Sequence, residues 1–157
     1  MMTYILAHNA ANPTQALSEG EMVANSMALI IGGSDTLTTA LAFTLNNLFQ
    51  HPTQLSILVI EIRTAFKSEI EIDGRSTRSL KHLTAVLRES LRLCPPFADN
   101  LHRAVPAGGA VIAGHNLSHG VTVGVPCYAM FRSGRNFSSP DAFLPQRWLA
   151  TLRFRRV

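Results

Sequence analysis

The chain has 157 residues, 46% of them hydrophobic and 15% charged. That balance excludes an intrinsically disordered segment and allows one core of ordinary size. The net charge of +4 comes with no basic stripe interleaved with aromatics, no zinc-finger spacing and no helix-turn-helix pattern, so it is read as solvated surface, with no nucleic acid expected as partner.

Leu17 to Phe49 reads as one long helix. Ser18 and Glu21 form an S-x-x-E capping box at its start. Met22, Leu29, Ile30, Leu37, Leu41 and Leu45 have the spacing of a buried stripe. Met22 to Ile31 is apolar, yet Asn25, Ser26 and the following glycines make it too short and interrupted for a membrane span. The centre is unusual: Gly32-Gly33-Ser34-Asp35-Thr36. Two glycines there cost about 2 kcal/mol relative to alanines, which points to a kink or to close approach by another group.

A second helix starts at Pro52, a residue suited to a first turn, with Leu55, Leu58, Val59, Ile62 and Phe66 on its core face. Asp73-Gly74 signals a turn. A third helix runs from about Ser79 to Leu93, with Leu80, Leu83, Leu87 and Leu91 expected inward, and Pro95-Pro96 ends it. From Leu101 to Val125 the chain has β-type runs, Ala110–Ala113 and Val121–Val125, separated by Gly114-His115-Asn116 and His119-Gly120. This predicts a small hairpin or sheet. Pro126 to Arg132 reads as a short helix. Beyond Ser133 the Gly, Asn, Ser and Pro content predicts an ordered, meandering loop. The fold class expected is therefore mainly α with a small β region.

Several residues could carry chemistry. Asp35 and Thr36 could relay protons within a site, with Gly32 and Gly33 thinning the helix so that a cofactor or dioxygen can approach. The alternative is a Thr36 hydroxyl bonded back to the Gly32 carbonyl. Glu89 and Arg92 are i,i+3 neighbours, and as an exposed pair would contribute only about 0.3–0.5 kcal/mol. Arg147, in Phe143-Leu144-Pro145-Gln146-Arg147-Trp148, could make a third member, because one carboxylate shared by two guanidiniums can be buried without an unpaired charge. Arg103 is either an anion clamp or an ordinary surface arginine. His102, His115 and His119 lack metal-ligand spacing and read as loop residues, so no metal site is expected from them. Cys94 and Cys127 lie outside any metal or disulfide spacing and read as small packed hydrophobes; a reducing compartment is the default. The N-terminus has no basic region followed by a long apolar run, so it does not read as a secretory signal.

Taken in order, these motifs resemble the cytochrome P-450 family, in particular its filamentous-fungal members. Gly32-Gly33-Ser34-Asp35-Thr36 is similar to that family's oxygen-binding motif on its long central helix, with Leu37 where Thr or Ser is commoner. Glu89-Ser90-Leu91-Arg92-Leu93-Cys94-Pro95-Pro96 is similar to the E-x-x-R-L-x-P-P signature, in which Cys94 takes the variable position. Asn136 to Trp148 is similar to the segment leading into P-x-R-[Phe/Trp], with Gln146 where Glu is commoner. The resemblance implies a part of the P-450 fold over 1–149: long central helix, E-x-x-R helix, small sheet and meander.

The resemblance also implies roles. Asp35 and Thr36 would assist proton delivery to oxygen, and Gly32 and Gly33 would flank the cofactor. Arg103 would hold a haem propionate. Glu89, Arg92 and Arg147 would form a structural ion cluster. Ile30, Leu37, Phe97 and Ala98 would line an apolar substrate pocket. The implied activity is insertion of one oxygen atom from dioxygen into an apolar organic substrate, with electrons from an NADPH-dependent reductase. The family's full-length members typically sit on the endoplasmic reticulum membrane. Its iron-ligating cysteine loop follows the last of these motifs. Here residues 150–157 form a basic tail with Arg153, Arg155 and Arg156 and no cysteine. The expectation is a fragment that lacks the haem thiolate ligand and the membrane anchor and is inactive alone. The alternative is a non-catalytic remnant or interaction fragment without haem.

Overall fold

The computed structural model describes residues 2–149. The chain divides into two compact units, Met1–Thr38 and Thr39–Val157. The basic tail at 150–157 lies outside the described residues.

In the first unit, α1 spans Met2–Ala11, where the sequence reading had no helix. The Asn9 side chain closes the connection that follows: its Nδ2 donates to the Leu17 carbonyl at 2.9 Å and its Oδ1 accepts from the Leu17 amide at 3.0 Å. The long helix, α2, spans Glu19–Gln50 and crosses from the first unit into the second. Its capping box forms: the Ser18 amide donates to Glu21 Oε2 at 2.8 Å, and the Glu21 amide donates to Ser18 Oγ at 3.3 Å. The Ser18 amide and hydroxyl also hold the Glu21 carboxyl below its usual pKa.

The expected buried stripe on α2 is not buried. Leu29, Ile30, Leu37, Leu41 and Leu45 are all exposed, Ile30 at 67%, and only Thr44 and Leu48 are buried. The periodicity predicts the helix, but it names a face and not its partner, and no described element covers this one. Nor do the glycines interrupt the helix. α2 runs unbroken through them, and by length and composition alone it is apolar enough to cross a membrane. The shorter window Met22–Ile31 had argued against a span; the continuous helix is what changes that count.

In the second unit, α3 (Pro52–Ala65) and α4 (Lys81–Leu93) pack with the end of α2 around Leu48, Leu58, Val86, Leu93 and Phe143. Each such side chain contributes about 1.5–3 kcal/mol on full burial. Leu55, Ile62, Leu83 and Cys94 pack against this core. The turn at Asp73 is held by its own carboxylate, which accepts from the Arg75 amide at 2.7 Å and the Ser76 amide at 2.6 Å.

The inward face of α4 differs from expectation. Leu80 is buried, but Leu87 and Leu91 are exposed, while His82, Ala85, Val86, Glu89, Ser90, Arg92 and Leu93 are buried. The spacing 82, 85/86, 89/90, 93 is as helical as that of the leucines. It prevails because the charged pair on it finds partners in the chain beyond.

The β region comprises two separate two-stranded antiparallel sheets. β1 (Arg103–Ala104) pairs with β4 (Thr122–Val123), and β2 (Ala110–Ile112) with β3 (His115–Leu117). His115 and Asn116, expected in a turn, are strand residues. The turn is the two-residue Ala113-Gly114, both at positive φ (50° and 82°), which matches the twist of a hairpin. Gly109 is needed for space as well as conformation: a Cβ there would lie 2.7 Å from the Leu117 carbonyl oxygen. α5 (Cys127–Phe131) follows, then an irregular loop that ends in a 3-10 turn at Pro145–Trp148.

Candidate functional site

The centre of the second unit is the Glu89 carboxylate, fully buried on α4. Its Oε1 accepts from Arg92 Nη2 at 2.9 Å, Arg147 Nε at 2.9 Å and the Leu144 amide at 3.0 Å. Its Oε2 accepts from Arg92 Nε at 2.9 Å and Trp148 Nε1 at 2.8 Å. Burial by itself would push this carboxyl's pKa up. The bonds from Arg92, the Leu144 amide, Trp148 and Arg147 outweigh it and hold the group below the usual carboxylate range.

Arg92, 2% exposed, uses all its N–H groups. Two face Glu89. The others reach the carbonyls of Phe131 (2.7 Å), Pro140 (2.6 Å) and Ala142 (3.2 Å). Arg147 Nη1 and Nη2 donate to the carbonyls of Ser138 and Ser139 at 3.0 and 3.3 Å. The Phe137 ring lies under both guanidiniums, 4.9 Å from Arg92 Cζ and 5.9 Å from that of Arg147. This explains how a loop without strand or helix keeps its shape. Its carbonyls have no ladder to join, and two arginines supply the donors that a ladder would have given.

The C-terminal end of α4 is tied to the chain beyond as well. Arg132 Nη2 donates to the Leu93 carbonyl at 3.1 Å, and Arg132 Nη1 pairs with Asp141 at 2.6 Å. Sequence reasoning named Glu89, Arg92 and Arg147. It missed Trp148 as a direct donor, Phe137 as the shared platform and the Leu144 amide. The Trp was visible as the end of the Pro-x-Arg segment. Nothing in the sequence showed where its N–H would point.

The remaining candidates make no hydrogen bond to this cluster among the described residues. Gly32, Gly33, Asp35, Thr36, Ile30 and Leu37 lie on α2 in the first unit and are exposed. The Thr36 hydroxyl donates to the Gly32 carbonyl at 2.6 Å, the local bond weighed above as the alternative. Around both glycines a Cβ would meet no described atom within 4 Å, so close approach within this structure does not explain them. Arg103 is exposed in β1, with Nη1 donating to the His102 carbonyl at 2.7 Å, and Phe97 and Ala98 are exposed after Pro96.

A mainly helical protein organised around a buried glutamate shared by two arginines is the class that fold and site define. The cytochrome P450 family model matches residues 1–156, and the chain belongs to that family. Its relatives include the cytochrome P450 monooxygenase cpaH of Aspergillus oryzae, 41% identical over 92% of this chain and 28% of the relative. Averantin hydroxylase of Dothistroma septosporum is 43% identical over 88% of this chain and 26% of the relative. The cytochrome P450 monooxygenase astJ of Aspergillus oryzae is 42% identical over 94% and 29%. The chain thus spans less than a third of the length of these relatives.

Haem is the cofactor that the family implies in its full-length members. Arg103, an exposed cation, suits the propionate edge of such a group. Cys94 does not suit its iron: it packs against the core at the end of α4, and burial pushes its thiol pKa up, against a smaller pull down from Arg132. Among the described residues no three His, Cys, Asp or Glu side chains group as a metal site.

Proposed function

We propose that this chain serves a cytochrome P450 monooxygenase reaction, in which one atom of dioxygen enters an apolar organic substrate and an NADPH-dependent reductase supplies the electrons. The observation that carries this reading is the buried Glu89–Arg92–Arg147 cluster in a chain of this family. Two relatives named averantin hydroxylase support hydroxylation as the reaction class. Haem, when bound, supplies the oxygen chemistry. The chain's own residues hold and guide. Arg103 would pair a propionate, and at Gly32 and Gly33, where a Cβ would meet nothing within 4 Å, the helix backbone would be open to a bound group. Ile30 and Leu37 in the first unit, and separately Phe97 and Ala98 in the second, are the exposed apolar side chains that this reading assigns to the substrate. Asp35 and Thr36 would assist proton delivery; the Thr36 hydroxyl, which donates to the Gly32 carbonyl here, would have to leave that bond to do so. The setting in this reading is the endoplasmic reticulum membrane, where full-length members of the family typically sit.

A second reading, an interaction polypeptide without haem, is favoured by the exposed apolar face of α2. Haem titration of a chimera, in which this chain replaces the matching segment of a full-length P450 relative, followed by turnover with reductase, NADPH and isotopically labelled dioxygen, separates the two. The monooxygenase reading expects the chimera to show a thiolate-type spectrum after reduction under carbon monoxide and a product with one labelled oxygen, while the 157-residue chain alone stays inactive. It also expects Thr36→Ala to lower product formed per NADPH consumed. Absence of haem binding would leave the interaction reading standing.

A further inference from the structure

The helix that carries Glu89 and Arg92 begins without a cap of its own. Its N-cap residue is Leu80, which has no side-chain oxygen to offer the free amides of the first turn. Those amides are nevertheless satisfied from another helix. Glu61, on α3, places one carboxylate oxygen 2.8 Å from the His82 amide and the other 2.9 Å from the Leu83 amide. His82 and Leu83 are the second and third residues of α4, whose N–H groups a capping side chain ordinarily serves. The negative carboxylate also sits at the positive end of the helix dipole. A second tie lies beside it: His82 Nε2 is 3.3 Å from the Gln54 carbonyl of α3.

We propose that Glu61 is a positioning residue for the buried cluster: a cap lent across helices that sets the rotation of α4. His82 and Glu89 are seven residues apart, about two helical turns, so both lie on one face of α4. Both are buried. Pinning the backbone at His82 and Leu83 therefore sets which way Glu89 points two turns later. With the helix free to roll, the exposed leucines 87 and 91 offer a competing apolar face, and turning that face inward would carry Glu89 and Arg92 away from Arg147 and Trp148. Two bonds from one rigid carboxylate resist rolling in a way that a single bond cannot. This inference stands whether or not the chain takes part in oxygen chemistry, so its test reads only α4 and the cluster.

The full chain is compared with Glu61→Gln and Glu61→Ala by two measurements: amide hydrogen exchange at His82 and Leu83, and the emission of Trp148, the one tryptophan and a direct partner of Glu89. In Glu61→Ala both amides exchange about tenfold faster, and Trp148 emission shifts to longer wavelength as its N–H leaves the carboxylate. In Glu61→Gln the single carbonyl oxygen still holds one amide, so one of the two exchanges at the normal rate and Trp148 emission returns toward that of the parent. An ordinary stabilising contact would lower the melting temperature without moving the emission of the folded state. Folded Glu61→Ala with parental Trp148 emission overturns the proposal. So does Glu61→Gln with both amides at the parental rate, a result that remains readable where Glu61→Ala does not fold.

Discussion

Glu89 shows why an ion pair of little value on a surface can organise an interior. Five donors converge on its two oxygens, so the charge is buried without being orphaned. Glu89→Gln keeps the shape and removes the charge, leaving two buried guanidiniums short of a counter-ion. It is expected to lower unfolding free energy by about 3–5 kcal/mol, read from the shift in urea midpoint. The acid response follows from the direction of the Glu89 shift. Its folded pKa lies below the unfolded one, so the unfolded state binds the proton more readily. The contribution is complete above the ordinary carboxylate range and is lost as pH falls through the depressed folded value. Acid titration of Trp148 fluorescence should show this loss, and Glu89→Gln should flatten that part of the curve.

At the scale of the element, α2 and α4 contrast. In α4 the polar face is buried because its charges meet partners more than 50 residues later in the chain, such as the Leu144 amide and Trp148. In α2 the apolar face is exposed because no described element meets it. The glycine pair is the place to test what α2 needs. Gly32→Ala and Gly33→Ala add a Cβ that touches no described atom, and each should stabilise the helix by about 1 kcal/mol in the chain without ligand. Thermal melts followed by circular dichroism check this. A loss of haem or ligand affinity in the same variants would assign the glycines to an incoming group rather than to the helix.

For the whole molecule, the exposed face of α2 continues into an α1–α2 groove of roughly 320 Å³, lined by Leu6, Met22, Val23, Met27 and Ile30 with Glu19 and Ser26 beside them, and such an apolar surface invites association. The full chain should self-associate or partition onto lipid vesicles. Replacing Ile30, Ile31 and Leu37 together by Gln should reduce both. Sedimentation velocity and vesicle flotation report the two effects separately, and an unchanged distribution in the triple variant would place the association elsewhere.

The sequence by itself determined what local physics determines. The Ser18–Glu21 capping box, the start of α3 at Pro52, the turn at Asp73 and the stop after Leu93 are all set by residues within a few positions of one another. The E-x-x-R and Pro-x-Arg-Trp segments were legible for a related reason: i,i+3 spacing and proline rigidity are local, and their order along the chain pointed to a family. Only the tertiary structure decided which face of α4 turns inward, since leucine periodicity and charge periodicity both fit a helix and the choice fell to Arg147, Trp148 and the loop carbonyls. The same holds for Glu61. A carboxylate in the middle of α3 carries no local sign of capping, and becomes a cap only when packing brings the first turn of α4 to within 3 Å of it. Burial and partner choice are properties of distant contacts, and single-chain periodicity reports the face that wants cover without saying what covers it.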